Sequence, residues 1–151
     1  MDGGTLGAAL EREHREIDHG VEAFGSGGED AVAALSAAVG ALRRHIYLEE
    51  EFLFPPMEAG LAIPMGVMLR EHGELWRTLD ALEAQLAAAD GSANARAICD
   101  QLLAQLERHN SKEEPIFYTQ ADSSLGPEAT AELKAFLDSG QMPAGWVCQR
   151  A

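Results

Sequence analysis

The chain has 151 residues, 46% of them hydrophobic, with 11 Lys+Arg against 25 Asp+Glu and a formal net charge of −14. That size suits a single domain, residues 1–151, with one sizeable core. The acidity argues against nucleic acid or an acidic membrane surface as partner, since both are recognised through clustered Lys and Arg.

Ala and Leu dominate while Val, Ile and Thr are few, a composition that favours helices over strands. The first predicted helix runs from about Thr5 to Phe24, with Leu6, Leu10, Ile17, Val21 and Phe24 at three- and four-residue spacing. Gly25-Ser26-Gly27-Gly28 ends it. The second starts near Glu29-Asp30, carries Leu35, Val39, Leu42, Ile46 and Leu53, and stops at Pro55-Pro56. A third is expected to open at Pro64, a favoured first-turn residue, and to pass through Met68, Leu75, Leu79, Leu82 and Leu86 to Asp90-Gly91. The fourth begins at the candidate cap Ser92 and continues through Ile98, Leu102 and Leu106 to about Glu114, where Pro115 interrupts it. A short fifth helix covers Pro127 to Asp138, and the tail from Gly140 to Ala151 shows little pattern. Four amphipathic helices with short connections cannot hide their apolar stripes singly. The expected fold is all-α: an up-down-up-down four-helix bundle over about residues 5–118, followed by the short C-terminal helix.

No apolar run approaches the roughly 18–20 residues that cross a bilayer, and the longest, Leu61–Leu69, is broken by Pro64 and Gly66. Cys99 and Cys148 lie far apart and form no CxxC pair, so a reduced, cytoplasmic setting is expected. Phosphate-loop, dinucleotide, HExxH and GxSxG signatures are all missing from the sequence.

The histidines carry the functional signal. His14, His45, His72 and His109 fall one to each long helix, each on its apolar stripe. Two have a glutamate four residues on, in His45-xxx-Glu49 and His109-xxx-Glu113, and a step of four returns to the same face one turn later. Both carboxylates therefore point inward, with no Lys or Arg on the stripes to neutralise them, an arrangement too costly without a partner. The segments around His45 and His109 align as an internal repeat, as do Glu13-His14-Arg15-Glu16-Ile17 and Glu71-His72-Gly73-Glu74-Leu75. The chain thus reads as two copies of one helical hairpin, together offering four imidazoles and two carboxylates at the bundle axis. This exceeds what one tetrahedral zinc needs and suits a pair of iron ions, with an oxo or hydroxo bridge and an open position on each. A mixed iron–zinc pair or manganese accepts the same donors. The ferritin-like ligand set needs two ExxH motifs, and only Glu11-xx-His14 fits.

The six-position pattern His14, His45-xxx-Glu49, His72, His109-xxx-Glu113 resembles the hemerythrin-like (HHE cation-binding) family over about residues 6–118. The resemblance implies a non-haem di-iron centre in which His14 and His45 hold one iron, His72 and His109 the other, and Glu49 and Glu113 bridge them. Oxygen-carrying hemerythrins have a further histidine four residues after the third-helix ligand, where this chain has Trp76. The sequence is more similar to the six-ligand branch that includes bacterial iron–sulfur-cluster repair proteins. The expected function is binding or sensing of O2, NO or peroxide. A redox enzyme consuming peroxide or NO at the same centre, or an iron storage or donor protein, stands as the alternative.

Lesser candidates follow from the same stripes. Asp18, four residues after His14, is placed either to orient an imidazole or on a solvated face. His19 lies off the ligand stripe. Phe52, Leu53, Ile116 and Phe117 are expected to form an apolar lid that admits small neutral molecules. Cys99 is expected to be a buried small hydrophobe.

Overall fold

Thr5 accepts a hydrogen bond from the Ala8 amide at 3.1 Å and so caps the first helix, α1, Leu6–Ser26. The computed structural model describes residues 5–88 and 90–151. After α1 come α2 (Ala31–Leu48), a π-helical turn (Glu49–Leu53), a 3₁₀ turn (Pro55–Met57) and α3 (Glu58–Ala87). Then follow α4 (Ser92–Glu113), a second π-helical turn (Glu114–Tyr118), α5 (Thr119–Ser124) and α6 (Pro127–Ser139). The described residues contain no strand.

Helix α1 pairs with α2 and α3 with α4, and the two hairpins close on each other through α1–α4 and α2–α3 contacts. The α1–α2 turn uses Gly27 and Gly28 at φ 77° and 108°, conformations that residues with a Cβ avoid. Three boundaries differ from the sequence reading. Helix α3 begins at Glu58, ahead of Pro64, but the chain breaks helical geometry at Leu61 (φ −135°, ψ 31°). Pro64 therefore falls in the first turn after the break, where no amide is needed from it. Ser92 is the first residue of α4 rather than its cap, a place taken by Gly91. Pro115 does not end the helix, because a π-helical turn absorbs it and α5 continues.

Helix α5 returns to the start of the chain, where Asp122 accepts the Leu6 amide at 2.9 Å and the Gly7 amide at 3.3 Å. It thereby supplies negative charge to the N-terminus of α1. The last helix is tied down at its C-terminus by Arg44, which donates to the carbonyls of Phe136, Leu137 and Gly140. No single helix among the described residues is long and apolar enough to cross a membrane.

The core falls into two apolar clusters. One gathers Ile17, Val21, Leu35, Leu42, Leu75, Leu79, Leu102 and Leu106 with their neighbours. The other gathers Leu6, Leu10, Leu48, Leu53, Met65, Met68, Phe117 and Leu133 with theirs. Each fully buried aliphatic side chain contributes about 1.5–3 kcal/mol. Along the four long helices, the boundary between the clusters falls at the histidines: Leu10 and Ile17 flank His14, and Met68 and Leu75 flank His72.

Candidate metal centre

Between the two apolar clusters lies a polar layer. His14, His45, His72 and His109 are at most 4% exposed, and Glu49 and Glu113 are completely buried. The stripe positions explain this, since each residue faces the axis of an antiparallel bundle with hydrophobic side chains one turn above and below. Glu49 spans the hairpins, placing Oε2 3.1 Å from His45 Nε2 and Oε1 2.9 Å from His72 Nε2. Glu113 takes the corresponding position, with Oε1 3.2 Å from His14 Nε2 and 3.4 Å from His109 Nε2.

The donor atoms form two overlapping groups, each lying within 4.8 Å of one another: His14, His45, Glu49 and Glu113, and Glu49, His72, His109 and Glu113. The structure thus brings all six residues of the sequence pattern together, with the two glutamates common to both groups. All four imidazoles turn Nε2 inward.

Each Nδ1 is held from outside by a carboxylate that the sequence reading did not single out. Glu13 holds His45 at 2.8 Å, Glu71 holds His109 at 2.9 Å, Glu50 holds His72 at 2.7 Å and Glu114 holds His14 at 2.8 Å. With Nδ1 engaged by a carboxylate on the outside, each Nε2 is left facing the centre, the nitrogen through which a metal would be held. The acceptor for His14 is Glu114 and not Asp18, which is half-buried and raised by its own burial. His19 is exposed on the outer face of α1.

Tyr118 is a further residue that the sequence reading did not place at the site, although it closes the repeated segment after His109. Its hydroxyl oxygen lies 2.8 Å from His14 Nε2 and 2.7 Å from His45 Nε2, and it donates to Glu49 Oε2. Leu53, Phe54 and Phe117 are buried in the apolar cluster beside the centre, where Phe54 stacks on His72 and packs on Phe117. Phe52 departs from the expected lid, because it packs outward on Tyr47 and Phe136, and Ile116 is only half-buried. Trp76 is buried in the neighbouring apolar cluster, with the Arg43 guanidinium 4.5 Å above its ring and Trp146 packed edge-on. Cys99 is buried as expected.

Electrostatically, the layer is a set of buried acid–base pairs. Burial pulls the His45 imidazole down, but the Glu49 and Glu13 carboxylates overcome it and hold it up at about 10. His109 is likewise held at about 10 against its burial by Glu113 and Glu71. Burial opposes ionisation of Glu49 as well, yet His45 and His72 bring it well below the usual carboxylate range. Burial and the charge of Glu49 both raise Glu113, but His109 and His14 still bring it below its ordinary value. The Tyr118 hydroxyl is pushed well above its ordinary range by burial and by Glu113 and Glu49.

Imidazolium protons alone leave this layer incompletely matched. Neither oxygen of the fully buried Glu113 completes a hydrogen bond, and an unpartnered buried carboxylate is costly. A cation among inward-facing imidazole nitrogens and carboxylate oxygens satisfies both, and metal–donor bonds of about 2.1 Å place neighbouring donors about 3 Å apart. The spacings here match that pattern, so the donor set fits a metal centre. No curated protein and no solved structure matches the chain significantly. The family model for the hemerythrin HHE cation-binding domain matches residues 5–121. With its buried His/Glu layer at the heart of that span, the chain belongs to the hemerythrin HHE cation-binding family.

Proposed function

We propose that this chain is a non-haem di-iron protein that binds or senses O2, NO or peroxide. The observation that carries the reading is the pair of overlapping donor groups sharing Glu49 and Glu113. Two imidazoles at each end and two common carboxylates are a donor set for two ions side by side, and imidazole with carboxylate suits iron. His14 and His45 would hold one ion, His72 and His109 the other, and Glu49 and Glu113 both. A ferrous pair supplies electrons to a small oxidant or diatomic ligand when one binds.

The rest of the work falls to the protein. Glu13, Glu50, Glu71 and Glu114 fix the imidazole orientations through Nδ1, so that Nε2 remains the ligating atom. Leu53, Phe54 and Phe117 belong to the apolar cluster beside the centre, which disfavours entry of bulk water and charged solutes. Iron storage or donation is disfavoured by the burial of all six donors, which offers a departing ion no exposed ligand.

Iron analysis of protein reconstituted anaerobically with ferrous iron tests the reading directly. Two irons per chain are expected, with a change in the visible spectrum on exposure to O2, NO or hydrogen peroxide. A metal-replete protein that responds to none of the three sinks the proposal. Turnover of peroxide or NO that disappears in His109→Ala would extend the reading from binding to consumption.

A further inference from the structure

The polar layer is built from a duplicated hairpin, and its two halves correspond almost residue for residue. Glu49 and Glu50 correspond to Glu113 and Glu114, with each second member holding the histidine of the other hairpin. At the same interval, Phe54 corresponds to Tyr118. Both rings lie over an imidazole: Phe54 is stacked on His72 with centroids 5.6 Å apart at 14°, and Tyr118 covers His14 at 5.0 Å and 32°. The symmetry ends at one atom. Phe54 presents only carbon to its end of the centre, whereas Tyr118 inserts a hydroxyl oxygen among the donors of the other end.

That oxygen contacts three of the four donor atoms in its group: His14 Nε2, His45 Nε2 and Glu49 Oε2. A phenol has one proton to give and two lone pairs to offer. Without metal the hydroxyl donates to Glu49, and its oxygen lies within hydrogen-bond distance of both Nε2 atoms. An ion bound to His14 and His45 takes both Nε2 lone pairs, so neither nitrogen can still donate to the phenol. Its lone pairs then face the cation at the spacing of neighbouring donors in one coordination shell, about 3 Å. We propose that Tyr118 is a ligand to the ion held by His14 and His45, and that the di-iron centre is therefore built unequal. The phenolic proton leaves as the metal enters. The ion held by His72 and His109 faces Phe54, gains no such donor and keeps the position open to a small molecule. A pocket of about 190 Å³ lies against the outer side of Phe54 and Glu50 at that end, lined also by Pro55, Met65 and Leu69.

This assignment rests on the di-iron reading above, and the test separates the two. The chain has only two tyrosines, and Tyr47 lies in the aromatic cluster with Phe52, Phe136 and Trp146. Ferric-loaded protein is expected to show a visible phenolate-to-iron charge-transfer band carrying tyrosinate ring modes in its resonance Raman spectrum. Tyr47→Phe should leave band and modes in place, and Tyr118→Phe should lose both while retaining iron. Ring-deuterated tyrosine incorporated into the wild type should shift the same modes, which keeps the assignment testable if Tyr118→Phe does not fold. Iron-loaded wild type without tyrosinate modes, or modes that survive in Tyr118→Phe, overturns the ligand role while the di-iron reading stands. Wild type that takes up no iron overturns both.

Discussion

Glu13 and Glu71 stand immediately before His14 and His72 in the sequence, yet neither serves its neighbour. Each crosses to the histidine on the partner helix of its own hairpin, Glu13 to His45 and Glu71 to His109. Glu50 and Glu114 make the reciprocal crossing between hairpins. Every imidazole is thus anchored by a carboxylate from a different helix, and the centre's geometry depends on bundle packing at four points. Loss of one such partner weakens metal binding about 10–100-fold in comparable sites. Glu71→Gln keeps an acceptor for His109 but removes the charge, and is expected to lower iron affinity by that order with the helical circular dichroism unchanged. Competition with a chromophoric chelator measures it, and unchanged affinity would remove Glu71 from the site. The six inward donors were readable in the sequence because a step of four keeps a helical face. The outer carboxylates were not, because each lies one residue off the stripe, about 100° around the helix, where a lone glutamate reads as solvated surface. The repeats did contain them, Glu13 and Glu71 beside His14 and His72, and Glu50 and Glu114 in the segments around His45 and His109. What local periodicity cannot supply is the neighbouring helix that turns a surface position into a partner's acceptor.

At the level of elements, the two π-helical turns explain why Tyr118 was hidden. In regular α-helix a residue five places after Glu113 points about 140° away from it. The π-turn lengthens the hydrogen-bonded step to five residues, as Phe54 N–H to Glu49 O at 2.7 Å shows for the other hairpin, and brings the fifth residue back to the same face. Pro115 read as a helix end because it lacks an amide; the wider turn accommodates that loss without ending the helix. The long helices, their pairing and the short terminal helix were all legible from apolar spacing. The tail from Gln141 was not, because what fixes it is tertiary. Gln149 N–H donates to Glu50 at 2.9 Å, Trp146 Nε1 donates to Glu51 at 3.3 Å, and Arg77 donates to the Arg150 carbonyl at 3.2 Å. The tail therefore braces the carboxylate that orients His72. It can do so only because Gly73 has no side chain: a Cβ there would sit 2.3 Å from the Arg150 carbonyl oxygen. Gly73→Ala is expected to displace the tail and cost about 1–3 kcal/mol, the usual range for overpacking. Cys148, 3% exposed in the native fold, should then react readily with a thiol reagent while Cys99 in α4 stays protected. Equal protection of both thiols in the variant would show that the tail is not held by this contact.

Across the whole molecule, six of the 25 acidic residues converge on four imidazoles, sealed between two apolar clusters, while the net charge of −14 is carried mainly by the outer surface. Outside the centre Arg44 lies 3.4 Å from Glu13 and Lys112 donates to Glu71, but without metal only protons can balance the innermost pair, Glu49 and Glu113. In the folded state His45 and His109 are held at about 10 against an ordinary 6.5, so they bind protons that the unfolded chain releases above that value. Their contribution to metal-free stability is complete below about pH 6.5 and is lost as pH rises through about 10. Glu71, held at about 2 against an ordinary 4.5, contributes fully above about pH 4.5 and loses its contribution as pH falls through about 2. These limbs describe the same buried pairs from opposite ends, so their contributions are not summed. Metal-free protein should therefore melt highest between about pH 4.5 and 6.5 and progressively lower toward pH 10. Self-repulsion of an acidic surface would lower the melting temperature with rising pH too, but it acts on loaded and metal-free protein alike. On the proposed reading iron would compete with the buried protons, whose hold weakens as pH rises, so any stabilisation by iron should grow with pH. The difference in melting temperature between iron-loaded and chelator-stripped protein is expected to widen steadily from about pH 6 to about 9. A difference that stays flat over that range would mean that iron displaces no protons from these histidines, and that the buried carboxylates are balanced in some other way.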